Sequence, residues 1–553
     1  MEIPRDRPSE RAAPLPADEP AALPPVLDLP PLPPAAHPVP MAVRIQVNAF
    51  RFVGNTAISD EALTTIVAPY TGRDIDTAEL ETIRIALTRY YVERGYINSG
   101  AVLPDQDVTG GVVRFQIVEG RLTQIEVRGN KRLPESYIRE RLALAAGPPM
   151  SVYEIRDRLF LLQQDPHLQR VNAALLPGAR PGEAALRVDV EEAPNRRAYV
   201  TVNNYRPPSV GERHAELEFV DTNLLGFGDS LGLRHGWTVG SEDIDLIYAM
   251  PLSPRDTALQ LRYTKGNSKV METSFDELSA KSESQTISVG LWVYPHKTPQ
   301  QELGLGVAFE QRKSYSSLLD DPFAFSLGTP PSARLRLSVL RFGQSWTSQA
   351  PARVISVRST FSLGVNALNP TFDYIDAPPA RFGDLDARFL SWLGQLQWVE
   401  RLFARRDEWV VRIDTQQTNG PLLSLEQFSV GGARSVRGYR ENQLVRDYGL
   451  LASAEYRWTL WSNSGRGHRV QLAGFYDWGG AWNRERETPE PMVLASAGVG
   501  MRANYSTRLE FEIYYGKQLK FEPYYGKQLK PVEKLGHDYQ DHGIHAQLRV
   551  RLW

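Results

Sequence analysis

From about residue 197 to the C-terminus, apolar and polar residues alternate in segments of about ten. In His214–Val220, Ala215, Leu217 and Phe219 share one parity, and Glu216 and Glu218 share the other. Leu259, Leu261 and Tyr263 separate in the same way from Gln260, Arg262 and Thr264. So do Ala452, Ala454, Tyr456, Trp458 and Leu460 from Ser453, Glu455, Arg457 and Thr459. Leu509, Phe511, Ile513 and Tyr515 lie opposite Glu510, Glu512 and Tyr514. A period of two is the period of a β-strand with unlike faces. About sixteen such segments fill 196–553, each with its loop taking roughly 22 residues. A soluble β-sandwich needs far fewer strands. A closed membrane barrel, with one lipid face and one wet face, explains both the count and the charges. The predicted fold is a transmembrane β-barrel of about 16 antiparallel strands.

The preceding stretch has another rhythm. Phe50–Ser59, FRFVGNTAIS, is echoed 75 residues later by Ile125–Pro134, IEVRGNKRLP. Each copy is an alternating strand ending in Gly-Asn, a turn signal. Two helical patterns follow each: Asp60–Tyr70 and Asp76–Arg94, then Glu135–Ala146 and Val152–Gln164. Each copy closes with two strands, the last at Gly111–Gly120 or Ala184–Ala193. The order β-α-α-β-β, read twice, predicts two small α+β modules at 43–120 and 121–195. Residues 1–42 hold thirteen of the forty prolines within their first forty positions. A helix cannot persist there, so a Pro-rich extended arm or linker is expected.

Composition narrows the classes. The chain has 553 residues, with 63 Lys and Arg against 65 Asp and Glu. This near-neutral balance opposes a nucleic-acid binder. A mean hydropathy of −0.36, with no apolar run near 18 residues, excludes membrane-spanning helices but not strands. Without cysteine there are no disulfides, thiolate metal sites or cysteine nucleophiles. Met1-Glu2-Ile3-Pro4 opens without a basic segment leading into an apolar one, so no signal peptide is expected in this sequence.

Enzyme motifs fail on context. Gly228-Asp229-Ser230-Leu231-Gly232 matches G-x-S-x-G, but Ser230 leads into the strand pattern of Leu231, Leu233, His235 and Trp237. A nucleophile elbow needs a helix there. The Gly-Lys pairs at 516–517 and 526–527 continue with Gln, which no P-loop does. The nine His lack ligand spacing. No catalytic residue, metal or cofactor is expected. The stronger signal is Ser429–Asn442, SVGGARSVRGYREN, inside a loop spanning 417–446. A loop that long in a barrel has work of its own. Downstream, in Val470–Trp482, Asp477 shares parity with Gln471 and Phe475 and points into the lumen. Arg437 on an inward-folded loop would suit that carboxylate as a fork. The spacing equally allows two solvated charges that never meet. In a wet lumen such a pair would be screened.

The segments Val436-Arg437-Gly438-Tyr439 and Phe475-x-Asp477-x-Gly479 resemble the paired motifs of the outer-membrane assembly and two-partner secretion superfamily. The repeated modules resemble its polypeptide-transport-associated (POTRA) domains, and Asn223–Leu233 resembles the turn entering an early barrel strand of the secretion branch. The resemblance covers residues 43–553. It implies that Arg437 bonds Asp477 and holds the loop inside a sixteen-stranded pore. Two modules point to a two-partner secretion transporter in the bacterial outer membrane, its N-terminal domains in the periplasm. The alternative is an insertase assembling other barrels, a class that usually carries three to five modules. The implied partners are one large secreted protein, adhesin- or haemolysin-like and β-rich, and the outer-membrane lipids, with a monomeric barrel. Capture is expected by strand addition to the second module's edge Leu168–Leu176, at Gln169, Val171 and Ala173.

Three features depart from the family. Residues 1–40 cannot form the helix that often plugs the pore. Leu548, Val550 and Leu552 are one parity off the terminal Trp553. Finally, Phe511–Lys520 recurs as Phe521–Lys530 with nine of ten residues identical, read as a duplication lengthening the last extracellular loop.

Overall fold

The computed structural model describes residues 26–29, 44–272, 279–325, 329–368, 370, 388–402, 407–463, 465, 467–506, 508–519 and 538–553. The second copy of the duplicated decapeptide, Phe521–Lys530, lies outside the described residues, while the first copy lies largely within a strand, Leu509–Gln518. The chain divides into two compact units, Ala22–Pro194 and the barrel from Asn195.

In the N-terminal unit, the first module pairs Ala49–Val53 in parallel with Val112–Val118, which pairs antiparallel with Gly100–Val102. Helices Asp60–Val67 and Thr77–Glu93 cover that sheet. Asp76 and Glu79 form a reciprocal capping box, the Glu79 N–H donating to Asp76 at 2.8 Å. Leu63, Leu87, Tyr91 and Phe115 are fully buried between the layers. The second module repeats the plan with strands Arg121–Arg128, Leu168–Pro177 and Glu183–Glu192 under helices Glu135–Ala143 and Val152–Gln163.

The Gly-Asn turns explain why the repeat survives. Gly54 and Gly129 have φ of 94° and 89°, and a Cβ on either would strike a carbonyl oxygen of the neighbouring strand. Asn55 and Asn130 each donate to a carbonyl three residues on, at 3.0 Å. In both modules a glutamate from the last strand then collects the free N–H groups. Glu119 accepts from Thr56 and Ala57 at 2.7 and 2.8 Å, and Glu192 from Lys131 and Leu133 at 2.6 and 2.9 Å. Burial raises each carboxyl, but these amide donors outweigh it and hold both below the usual range.

One element differs from the linker reading. Val26–Asp28 is a strand, parallel to Leu168–Pro177, so the second sheet has four strands rather than three.

The barrel closes through sixteen long antiparallel strands among the described residues, from Arg196–Asn203 to Ile544–Arg551, with Asp321–Pro322 extending one hairpin. Adjacent pairs keep the parity read from sequence. Leu233 lies opposite Leu246, and Leu246 opposite Tyr263. Val307 faces Phe342, and Phe342 faces Phe361. Leu217, Leu233, Val307, Phe342 and Leu472 are each 41–49% exposed, an apolar belt too continuous for water. A bulge between Thr459 and Trp461 turns both Leu460 and Trp461 outward. The inward parity is charged, as where Asp245 accepts from Arg262 and Arg234 at 2.8 and 3.1 Å.

Candidate functional site

The long loop between Asp407–Thr418 and Tyr448–Asn463 folds into the barrel, with its own short hairpin of Phe428–Val430 and Leu444–Arg446. At its root Glu426, 1% exposed, bridges Arg312 and Arg341 from two strands at 2.7 and 2.8 Å. Arg341 also holds Glu310. Asp447, fully buried, accepts from the Leu422 and Arg484 N–H groups and from Gln427 and Arg486 at 2.8–3.1 Å.

The middle of the loop carries the predicted motif. Arg437 donates Nε to Asp477 Oδ2 at 2.8 Å and Nη2 to Oδ1 at 2.9 Å, and its backbone N–H reaches Oδ2 at 3.1 Å. This is a bidentate fork. Nη1 donates to Glu455, which sequence reading had placed on the polar parity without a partner. The guanidinium carbon sits 3.6 Å from the Phe475 ring centroid and 4.7 Å from that of Tyr514. Gly438, at φ 93°, packs so closely on Gly516 that a Cβ would come within 2.5 Å of its carbonyl oxygen. Tyr439 donates its hydroxyl to the Ala495 carbonyl at 3.1 Å. Val436 lies against Gly479, where a Cβ would meet Val430 at 2.5 Å and Val436 at 3.0 Å. Arg437 on Asp477 and Phe475, and Val436 against Gly479, thus join the two motif segments, while Gly438 and Tyr439 pack on Gly516 and Ala495 beyond them.

The site is dry rather than wet. Asp477 is 0% exposed and Arg437 6%. The screened pair expected from a water-filled lumen is not what the loop builds. Phe428, Val430, Val436, Tyr439 and Leu444 bring an apolar cluster into the lumen, packed with Leu393, Leu451, Ala481 and Leu494. That plug of side chains removes the water that would have screened the charges.

Sequence reading missed the loop tip. Arg440 makes a second fork on Asp541 at 2.6 and 2.8 Å and reaches Glu272 at 2.7 Å. The Glu441 N–H donates to Gln540 at 2.8 Å, and Gln540 donates to the Asn204 and Arg206 carbonyls at 2.6 Å. The loop tip thus reaches the residues flanking the first and last strands. A charged parity signalled lumenal residues, but nothing in spacing pairs positions 101 residues apart.

The remaining candidates fall elsewhere. Ser230 opens the strand Ser230–Trp237, with no helix behind it. Val171 and Ala173 are buried on the edge strand, but their edge is covered. The Gln163 amide accepts from the Val171 N–H at 2.8 Å and donates to the Gln169 carbonyl at 2.9 Å, and Leu27 of the arm pairs with Ala173.

Residues 182–503 match the family described as haemolysin secretion/activation protein ShlB/FhaC/HecB, and residues 45–120 match a POTRA domain of the ShlB type. The chain is similar to the outer membrane transporter CdiB of Dickeya dadantii, 22% identical over 82% of this chain and 79% of that one. It is also similar to the heme/hemopexin transporter protein HuxB of Haemophilus influenzae, 23% identical over 81% and 78%. The solved structure of CdiB from Escherichia coli shares the fold, with a TM-score of 0.72 and 20% identity across 99% of this chain and 95% of that one. With more than half its length matched, the chain belongs to the haemolysin secretion/activation protein family ShlB/FhaC/HecB, outer-membrane transporters of two-partner secretion whose POTRA modules lie in the periplasm.

Proposed function

We propose that this transporter captures the unfolded leading segment of one large, β-rich, adhesin- or haemolysin-like partner on the second module's edge. It then passes that chain through the lumen. The observation that carries the reading is the long loop packed inside the barrel on the Arg437–Asp477 fork. In this reading Arg437 and Asp477 hold the loop in its secretion-competent seat, with Val436, Gly438, Tyr439, Phe475 and Gly479 shaping that seat. The barrel works as a single copy in outer-membrane lipid and performs no chemistry. Directionality comes from folding of the partner outside. The family that matches is the secretion branch, which favours export over the insertase alternative.

The test uses the chain in its cell and in bilayers. Deleting it removes one large protein from the culture medium, and the purified barrel conducts ions in a planar membrane. Loss of many other barrels from the outer membrane, with secretion intact, would overturn the reading in favour of insertion.

A further inference from the structure

Four neighbouring strands, Ala258–Lys269, Lys281–Lys297, Gln301–Leu318 and Arg334–Ala350, show the lipid an apolar face of Leu261, Ile287, Val289, Val307, Leu340 and Phe342. Farther along the same outward parity, the belt gives way to charge. Lys265, Gln285, Lys313 and Arg336 form one register row, each paired with the next. Tyr315 pairs with Arg334 one row beyond, and Lys269 with Lys281 two rows beyond. The first barrel strand leaves the periplasmic modules and Ala258–Lys269 is the fifth, so this end is extracellular.

Among the described residues, six cations thus gather on the outer wall immediately above the apolar belt. Lys313 stands directly opposite Arg336, and Lys269 opposite Lys281, an arrangement that destabilises a sheet unless something neutralises it. The nearby carboxylates are few. Asp320 holds Lys281 at 2.5 Å, Glu242 holds His235 at 2.9 Å, and Glu283 lies between the rows. Arg334 keeps its guanidinium carbon 5.0 Å from the Tyr315 ring centroid. On another stretch of the same rim the outward residues are Gln417, Tyr448 and Trp482, the last two stacked at 5.8 Å. That stretch is an ordinary aromatic girdle.

We propose that the cationic face binds the phosphorylated headgroup of a glycolipid in the outer leaflet. The acyl chains lie along the apolar belt, and the phosphates meet Lys265, Lys313, Arg334 and Arg336. Arginine forks on phosphate oxygens, while lysine adds a point charge. A basic cluster beside the hydrocarbon layer is the pattern of an anionic-lipid site. The row from Lys265 to Arg336 spans three strand spacings, about 14 Å. That width suits a two-sugar headgroup with a phosphate at each end better than a single phosphate.

The test places the full-length barrel in phosphatidylcholine nanodiscs and reads the temperature at which the folded band is lost. Bisphosphorylated lipid A, added to the discs, is expected to raise that temperature by several degrees. Dephosphorylated lipid A is expected to leave it unchanged, and phosphatidylglycerol at equal charge to raise it less. Two variants, K313Q/R336Q and K265Q/R334Q, are each read against themselves in plain phosphatidylcholine, so any change in basal stability cancels. Both are expected to lose most of the lipid A shift, while R353Q, on the outer wall at the periplasmic end, keeps it. An equal shift with dephosphorylated lipid A overturns the proposal, as does no shift with lipid A. Inorganic phosphate reproducing the shift replaces the headgroup by free phosphate, and phosphatidylglycerol matching lipid A reduces the site to general surface charge. A full shift in both double variants shows that these four residues do not hold the lipid.

Discussion

Replacing Arg437 by alanine tests the core of the mechanism, and the structure sets the size of the effect. The side chain gives two bonds to Asp477 and one to Glu455, in a site from which water is excluded. Its removal leaves two buried carboxylates. Asp477 keeps the Ser453 hydroxyl at 2.6 Å, and Glu455 keeps Arg457 at 2.6 Å and the Tyr514 hydroxyl at 3.2 Å. Breaking a buried pair by removing one partner costs about 3–5 kcal/mol. That shifts the docked-to-undocked ratio of the loop by roughly 10²- to 10⁴-fold. Asp477→Ala is milder, about 2–3 kcal/mol, because Arg437 keeps Glu455. Arg437→Lys fails substantially, since one ammonium cannot fork on Asp477, reach Glu455 and stack on Phe475 together.

The assay combines secretion of the partner with cleavage of the loop by an external protease, scored on barrels that still migrate as folded without boiling. The expected order of protease sensitivity and secretion loss is Arg437→Ala first, then Arg437→Lys and Asp477→Ala. The double mutant Arg437→Ala/Asp477→Ala is expected to be no worse than Arg437→Ala alone, because it removes one charge of each sign. Simple addition of the two losses, or normal secretion by Arg437→Lys, refutes the fork as what holds the loop.

Arg440→Gln removes the tip's contacts to Asp541 and Glu272 and leaves Asp541, whose side chain is 4% exposed, without its cation. Protease sensitivity near the tip rises several-fold while Arg437 stays docked; unchanged cleavage means the tip anchor holds nothing. In the N-terminal unit, Glu119 and Glu192 have carboxyls lowered from the ordinary 4.5 on folding. Their contribution to stability is therefore complete above that value and lost as pH falls through the lowered ones. Melting of a fragment covering residues 22–194 between about pH 6 and pH 3 shows this as an acid-side fall, which Glu119→Gln with Glu192→Gln flattens. An identical fall in the double variant places the titration elsewhere.

The barrel was legible because one period governs every strand. Lumen and lipid choose opposite parities, so Asp477 could be placed inward from Gln471 and Phe475 alone. The modules were legible through their repeated Gly-Asn turns. What escaped is whatever depends on two distant segments meeting. Glu455 read as a lumenal carboxylate but not as a partner of Arg437. Glu426 carried no sign of Arg312 and Arg341, and Arg440 none of Asp541. The dryness of the site escaped for the same reason, since it arises from Phe428 and Leu444 packing with strands far off in sequence. The arm strand was hidden differently. Four residues between proline pairs, Val26 to Leu29, have the local preferences of a linker, and only a waiting sheet edge makes three of them a strand.

The seam between the first and last strands separates export through the lumen from insertion through the wall. There the backbone pairing covers five residue pairs, from Tyr199 with Arg551 to Asn203 with Gln547. Beyond it the Asn204 amide imitates a strand, donating to the Ile544 carbonyl and accepting from the Ala546 N–H, both at 2.8 Å. Neutral hydrogen bonds contribute about 1 kcal/mol each, so Asn204→Ala weakens closure by about 2 kcal/mol and lowers the temperature at which the folded band is lost. Val202 and Leu548 are directly paired across the seam, both on the lipid face. An oxidised pair of cysteines there, within disulfide reach, locks the wall shut. If the partner travels through the lumen, the locked barrel secretes normally and also rescues Asn204→Ala. An insertase would stop, because its substrate must pass between those two strands. Secretion abolished by the lock and recovered on reduction would refute the lumenal route, whatever the Arg437 variants had shown.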